Sequence, residues 1–546
     1  MKLIKQIELV FQGGKSDKVY EVDLCEVGPN QYVVNFRYGR RGSALREGTK
    51  TALPVAQGKA EQVFDKLVSD KVKKGYLDVQ APAPMPDTPE TLAETLQSDD
   101  PREQAVLERL RAGDTVTTAK LPKKRGTFSR RRCLRSGSTP SPSNVWSLDR
   151  AIWRAGELEL RRAEPLLLSL ISPTHHVRNY SIITALAHCG TEQSVPHLRH
   201  VYETAGFPDH IRNLAVAALL MILPEADCER LCGQLLDRLP KPLSDAARHG
   251  SSSELESALE AYLAQGKDVD DAVLPVLYLL DQAHTRPVIL SWLRKSSLRP
   301  PEFKPLRRIF KLAELRRDKE VFGLIAYRFE TTTAMFRHNA EDGGARLPGR
   351  SRRYLEEDEL CRELGSAHAR LAFSEKTRQY LRRRVWRTLR RLGDLNSSDY
   401  VPMAVDVLLM YRDDDARESR RIWGYQKDRR RYGWINCDAY GAYWTFNHIL
   451  YHHSPRYMPR SQTWYCRDHY RPGEPESDIR EEAFPELWEQ APEQLLRLLR
   501  QSHCRPVHAF AVKALRACPE FCHNLDRAVY IEWLGKCLRG DSSIRV

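Results

Sequence analysis

Residues 35–42, Asn35-Phe36-Arg37-Tyr38-Gly39-Arg40-Arg41-Gly42, set three arginines and two glycines around an aromatic pair. Upstream of them the chain reads as strands. Ile4, Ile7, Leu9 and Phe11 lead into a turn at Gly13-Gly14, and Val19 to Leu24 alternates apolar with polar residues. Gly28-Pro29-Asn30 marks a second turn, and Tyr32-Val33-Val34-Asn35-Phe36 is β-branched and aromatic. The pattern predicts an antiparallel meander whose last strand is followed by the arginine-glycine stretch. Downstream, Ala60, Val63, Phe64, Leu67 and Val68 recur at helical spacing between Gln57 and Lys74, and Gly75 supplies a stop. One helix is therefore expected to cover one face of the sheet.

The whole chain has 546 residues, too many for one ordinary core. Its 86 Lys+Arg outnumber 72 Asp+Glu, and the net charge of +14 points to an anionic partner, nucleic acid first among them. Lys5 and Glu8 break the start before an apolar leader can form, and no apolar run approaches the roughly 20 residues of a membrane span. The expectation is a cytoplasmic protein, nucleoid-associated if bacterial, with no membrane partner. The 12 cysteines are scattered apart from Cys228/Cys232 and Cys518/Cys522, whose spacing suits a helix face better than a disulfide framework.

Between the N-terminal module (1–80) and the rest lies a Pro- and Ser-rich stretch, 81–145, with a short helix expected around Glu90 to Arg111. Its basic run includes Lys123, Lys124, Arg125, Arg130, Arg131 and Arg132, which suits either a nucleic-acid arm or a solvated tether. From Trp146 the chain turns helical and repetitive. Val177-Arg178-Asn179 recurs 34 residues on as Ile211-Arg212-Asn213, each time after Pro and ahead of an Ala/Leu-rich helix. Weaker echoes stand at Leu381-Arg382, Val507-His508 and Ile544-Arg545. Periods of this length predict paired-helix repeats of HEAT type over 146–546. The last copy stops at Val546, so the solenoid is expected to be continued or capped by something else.

An Arg- and aromatic-rich segment, 417–471, interrupts the repeats. Rings interleaved with guanidinium groups suit single-stranded or distorted nucleic acid, but they equally suit an insertion building its own small core, and the second account is preferred. Catalytic and metal constellations are weak. Cys466 and His469 with His448, His452 and His453 match no zinc-finger spacing. Gly14-Lys15-Ser16 lacks the first glycine of a phosphate loop, and Asp413 to Asp415 and Glu356 to Glu359 read as solvated charge runs. No cofactor, metal or catalytic residue is expected.

Taken together, Ser16-Asp17-Lys18-Val19-Tyr20-Glu21, Gly28, Tyr32, Arg37 to Gly42, the helix with Ala60, Phe64 and Lys66, and Lys73-Lys74-Gly75-Tyr76 resemble the WGR domain. That module is known from DNA-dependent poly(ADP-ribose) polymerases and from bacterial proteins of the molybdate-regulator type. Tyr38 stands where the family has its signature Trp. The resemblance implies that Tyr38 and Arg40 contact the sugar-phosphate backbone near a DNA end. The residues themselves agree: Arg37, Arg40 and Arg41 offer fork donors to phosphate, Tyr38 offers a ring face, and Gly39 and Gly42 allow close backbone approach. Lys73, Lys74 and the basic run of the linker complete the candidate set. The competing account makes the glycines a turn, Tyr38 an edge of the core and the arginines solvated. The overall expectation is an α+β chain, a small antiparallel sheet with one helix followed by an all-α HEAT-like solenoid. It would act as a non-catalytic DNA-binding adaptor whose solenoid holds duplex or a protein partner. The rivals are a regulatory protein scaffold and a HEAT-like DNA glycosylase.

Overall fold

Three long strands open the computed structural model: β1 (Lys2–Gly13), β2 (Ser16–Gly28) and β3 (Gln31–Arg40), each antiparallel to the next. The meander extends further than expected, because β4 (Arg46–Thr49) pairs with β3 and β5 (Leu77–Asp78) with β1, giving the order β4-β3-β2-β1-β5. The residues described are 2–13, 16–28, 31–40, 45–51, 53–72, 77–78, 100–113, 147–266, 270–339, 343–347, 354–366, 369–426, 430–460, 462–467, 470 and 479–526.

The arginine-glycine stretch does not follow the last strand as expected. Asn35–Arg40 is the second half of β3 itself, paired with β2 on one side and, over Asn35–Tyr38, with β4 on the other. The physical reason is that the period-2 alternation of Tyr32, Val34 and Phe36 continues to Tyr38, so the strand has no cause to stop. Helix α1 (Gln57–Val72) covers one sheet face, where Phe64 and Ala60 pack on Leu9, Val22 and Val34, all essentially fully buried. Each such side chain contributes about 1.5–3 kcal/mol when taken out of water, Ala60 less.

Within the stretch where a linker helix is expected, Pro101–Ala112 is helical, and residues 90–99 lie outside the described residues. Asp100 accepts a hydrogen bond from the Arg102 backbone N–H, and Pro101, whose missing N–H costs nothing in the first turn, follows it. The basic run from Lys123 to Arg132 lies outside the described residues, as do Lys73, Lys74 and the final Ile544-Arg545 step.

The chain forms two compact units, Met1–Leu235 and Leu236–Val546. The region after residue 147 is mostly helical. In the first unit the two copies of the hydrophobic-Arg-Asn step each open a helix, His176–Cys189 and Asp209–Ile222, and these two helices pack on one another. Asn179 is buried because its amide brackets Ser172, accepting from the backbone N–H and donating to the carbonyl, which closes the turn before the helix. Arg212 donates to the carbonyl of Tyr202, tying its helix to the preceding one. Gly156 has a packing reason: a Cβ there would lie 2.5 Å from the Ala185 backbone.

In the second unit the echo at Leu381-Arg382 proves different. It lies in the middle of the long helix Glu375–Asp394, where buried Arg382 meets buried Glu330 at 2.5 Å. This unit also holds short strands: a three-stranded sheet of Arg337–His338, Ala345–Arg346 and Tyr354–Leu355, and two hairpins inside the 417–471 segment. The second of these, Tyr457–Arg460 with Thr463–Cys466, does build a small core, in which Tyr457, Trp464, Cys466 and Tyr470 pack with Trp444 and Tyr451. Among the described residues no helix is long and apolar enough to cross a membrane, and the described cysteines are free thiols.

Candidate nucleic-acid interface

A β-strand sends successive side chains to opposite faces, and β3 uses this to separate the residues that the sequence runs together. Tyr32, Val34, Phe36 and Tyr38 face α1, whereas Val33, Asn35, Arg37 and Gly39 belong to the other face. Tyr38 lies opposite Tyr20 of β2 in register. Its ring stacks on Tyr20 at 6.0 Å and on Phe36 at 6.1 Å, and Tyr20 and Phe36 stack on each other at 5.7 Å. Tyr20 is 3 % exposed and Tyr38 is 40 % exposed. The three rings thus make a shelf whose inner end is core and whose outer end is offered to solvent. Gly48 of β4, opposite Phe36, makes room for it: a Cβ there would sit 2.7 Å from the Phe36 ring.

Cations surround this shelf. Lys71 on α1 places its ammonium 3.8 Å from the Tyr20 ring centre, and Lys50 places its own 5.7 Å from that of Phe36. Arg46 is the register partner of Tyr38 on β4 and is exposed. Lys18 and Arg40 are register partners at the end of β2 and β3, so two cationic residues oppose one another beside Tyr38.

Arg37 belongs elsewhere. On the opposite face its guanidinium lies 2.8 Å from Glu21, its register partner, and 3.4 Å from Asp23. Two carboxylates already balance its charge, which makes it a cross-strand staple and removes it from the surface around Tyr38. Gly39 pairs with Val19 as an ordinary strand residue. Arg41 and Gly42 lie outside the described residues, and for Arg40 only the backbone is described.

Of the expected set, then, Tyr38 and the backbone of Arg40 come together, and Arg37 is turned away. Lys18, Arg46, Lys50 and Lys71 join them unannounced. The signal that finds Lys71 is helical: it follows Phe64, Leu67 and Val68 at i+7, i+4 and i+3, on the rim of the buried stripe. Nothing local marks Arg46 and Lys50, which stand in and just past a strand only 4 residues long.

Of the histidines considered for metal binding, His448, His452 and His453 form a stacked cluster, and His469 lies outside the described residues. His448 lies flat on Trp386 at 4.6 Å and edge-on to Trp444 and Trp464 at 4.6 and 4.9 Å. Burial holds its pKa well below the ordinary range, and His452 is pushed down to about 4 by burial, His453 and Arg390. Cys466 packs in the core of the second hairpin. Among the described residues no group of three His, Cys, Asp or Glu is placed to hold a metal ion.

Residues 5–82 match the WGR domain family, which covers the sheet, α1 and the shelf around Tyr38. No curated protein and no solved structure matches the chain.

Proposed function

We propose that this chain is a non-catalytic nucleic-acid-binding adaptor, in which the WGR module contacts DNA through Tyr38, Arg40 and the lysines and arginine beside them. The observation that carries the reading is the shelf. An aromatic ring at the family's signature position is held rigid by two stacked rings, with its outer part exposed and cationic residues around it. A sugar or terminal base has a face to lie on, and the flanking phosphates have Lys18, Arg46, Lys50 and Lys71 within the same small surface. The helical region would hold further duplex or a protein, since paired-helix stacks offer extended surfaces.

The test is equilibrium binding of the full chain to blunt, nicked and single-stranded DNA across a salt series. The adaptor reading expects measurable affinity with a log-log salt slope of several units, as phosphate contacts release counterions. Absence of binding at low salt would contradict it and leave protein scaffolding as the better account.

A further inference from the structure

The first hairpin of the 417–471 segment, Arg420–Gln426 paired with Arg431–Cys437, does not build a core as the second one does. Its register puts Trp423 opposite Trp434 and Tyr425 opposite Tyr432 on one face, and all four rings are exposed: 61 %, 53 %, 39 % and 67 % respectively. The other face is closed. Ile435 and Cys437 are buried there, and Gln426 folds beneath Gly433 and donates to the Trp434 carbonyl at 2.8 Å. Arg460 of the second hairpin comes within 3.3 Å of where a Gly424 Cβ would stand. The ribbon is therefore anchored from below, and its aromatic face is turned outward.

We infer that this face binds single-stranded nucleic acid. Four large rings on one exposed face form an apolar surface of a kind that usually marks a partner. Their chemistry selects which partner. Arg421 shares the aromatic face, with its guanidinium 5.4 Å from the Trp434 ring centre, and exposed Arg430 stands just ahead of the second strand, whereas Arg420 and Arg431 pair with Cys437 and Gln426 on the closed face. Rings supply faces for bases and arginines supply donors for phosphates. The spacing favours an unstacked strand. Successive ring pairs are two residues apart, about 6.7 Å at a rise near 3.3–3.4 Å per residue, whereas bases within a duplex strand follow each other every ~3.4 Å and keep their faces covered. The surface lies in the second unit and does not depend on the WGR module.

The competing account is that the two ring pairs only staple a short hairpin, since cross-strand aromatic pairs do so even when exposed. Two sets of variants in the full chain separate the accounts, with anisotropy of a labelled oligothymidylate and of a short blunt duplex as readouts. Trp423→Ala with Trp434→Ala removes two faces, and oligothymidylate affinity should fall about tenfold or more while duplex affinity changes less than twofold. Arg421→Gln with Arg430→Gln leaves every ring in place, and should still weaken oligothymidylate binding severalfold while circular dichroism stays unchanged. Should the tryptophan pair unfold the hairpin, the arginine pair decides. The blunt duplex reports on the WGR surface in the same titrations, so failure of the WGR reading and failure of this one are told apart. Oligothymidylate affinity that is absent in the native chain, or unchanged in the arginine pair, overturns the inference.

Discussion

Tyr38 and Tyr20 are opposite one another in the β2–β3 register, stacked at 6.0 Å, yet one is two-fifths exposed and the other belongs to the core. The same pair of rings thus joins the packing of the module to its outer surface. Substitution should split the two roles. Tyr20→Ala is expected to cost about 3–5 kcal/mol, as for other buried aromatics, and to lower the thermal midpoint of the module. Tyr38→Ala should cost well under half of that, because its ring is only partly removed from water. Equal losses in differential scanning calorimetry would mean that Tyr38 is a core residue and the shelf a misreading.

Arg37 and Arg40 are close in sequence and should differ in effect. Arg37→Gln loses an ion pair that is 43 % exposed on its arginine side, so the stability change should be about 1 kcal/mol or less, with DNA affinity unchanged. Arg40→Ala should leave stability alone and weaken binding to every duplex by about 1.5–3 kcal/mol, the loss shrinking as salt rises. Titrations of both variants at two salt concentrations decide between them. Should Arg37→Gln be the one that loses DNA, the assignment of faces is at fault.

In the second unit, buried Glu330 holds three donors: Arg382 Nε at 2.5 Å and the backbone N–H groups of Trp444 and Thr445 at 3.1 and 2.9 Å. It ties the helix Glu375–Asp394 to the start of the helix Trp444–Leu450 that separates the two hairpins. Glu330→Gln leaves the Arg382 charge buried without its counter-charge, and a loss of about 3–5 kcal/mol is expected. The urea midpoint measures it, and a shift too small to resolve would mean that water reaches this pair.

The stacked histidines make the second unit acid-sensitive. In the folded chain His452 titrates at about 4 and His448 also well below its ordinary value, whereas unfolded imidazoles take up protons near 6.5. Between those values the unfolded state binds more protons, so stability should be full above about pH 6.5 and should fall as pH drops toward 4. His452→Gln should flatten that slope relative to the native chain in urea titrations at several pH values. A slope left unchanged by the substitution would remove His452 from the account.

The WGR module was readable because its signals are local. Period-2 alternation in β1 to β3, a helical stripe in α1 and turn residues between them all lie within 80 residues and agree with one another. What escaped depends on register. Glu21 and Asp23 lie well before Arg37 in the chain and become its partners only when β2 pairs with β3. The end of β3 is hard to place from sequence because glycine disfavours strands, whereas pairing with β2 carries the strand through Gly39 to Arg40. The exposed hairpin carried a legible sign, the mirrored Trp423-Gly424-Tyr425 and Tyr432-Gly433-Trp434, which predicts facing aromatic pairs once the two are read as antiparallel. Which face they take is set by Gln426, Ile435 and Arg460, the last of them from a hairpin further along the chain.

The central claim is that the shelf at Tyr38 meets DNA, and that it does so at ends or nicks. It is tested most directly by comparing the affinity of the full chain for a nicked circle and for the same circle covalently closed, in the native protein, Tyr38→Ala and Tyr38→Trp. The account predicts that the native chain prefers the nicked circle, that Tyr38→Ala loses this preference at low and moderate salt alike, and that Tyr38→Trp keeps or raises it, because the larger ring extends the shelf. Equal affinity for both circles in all three proteins would contradict it.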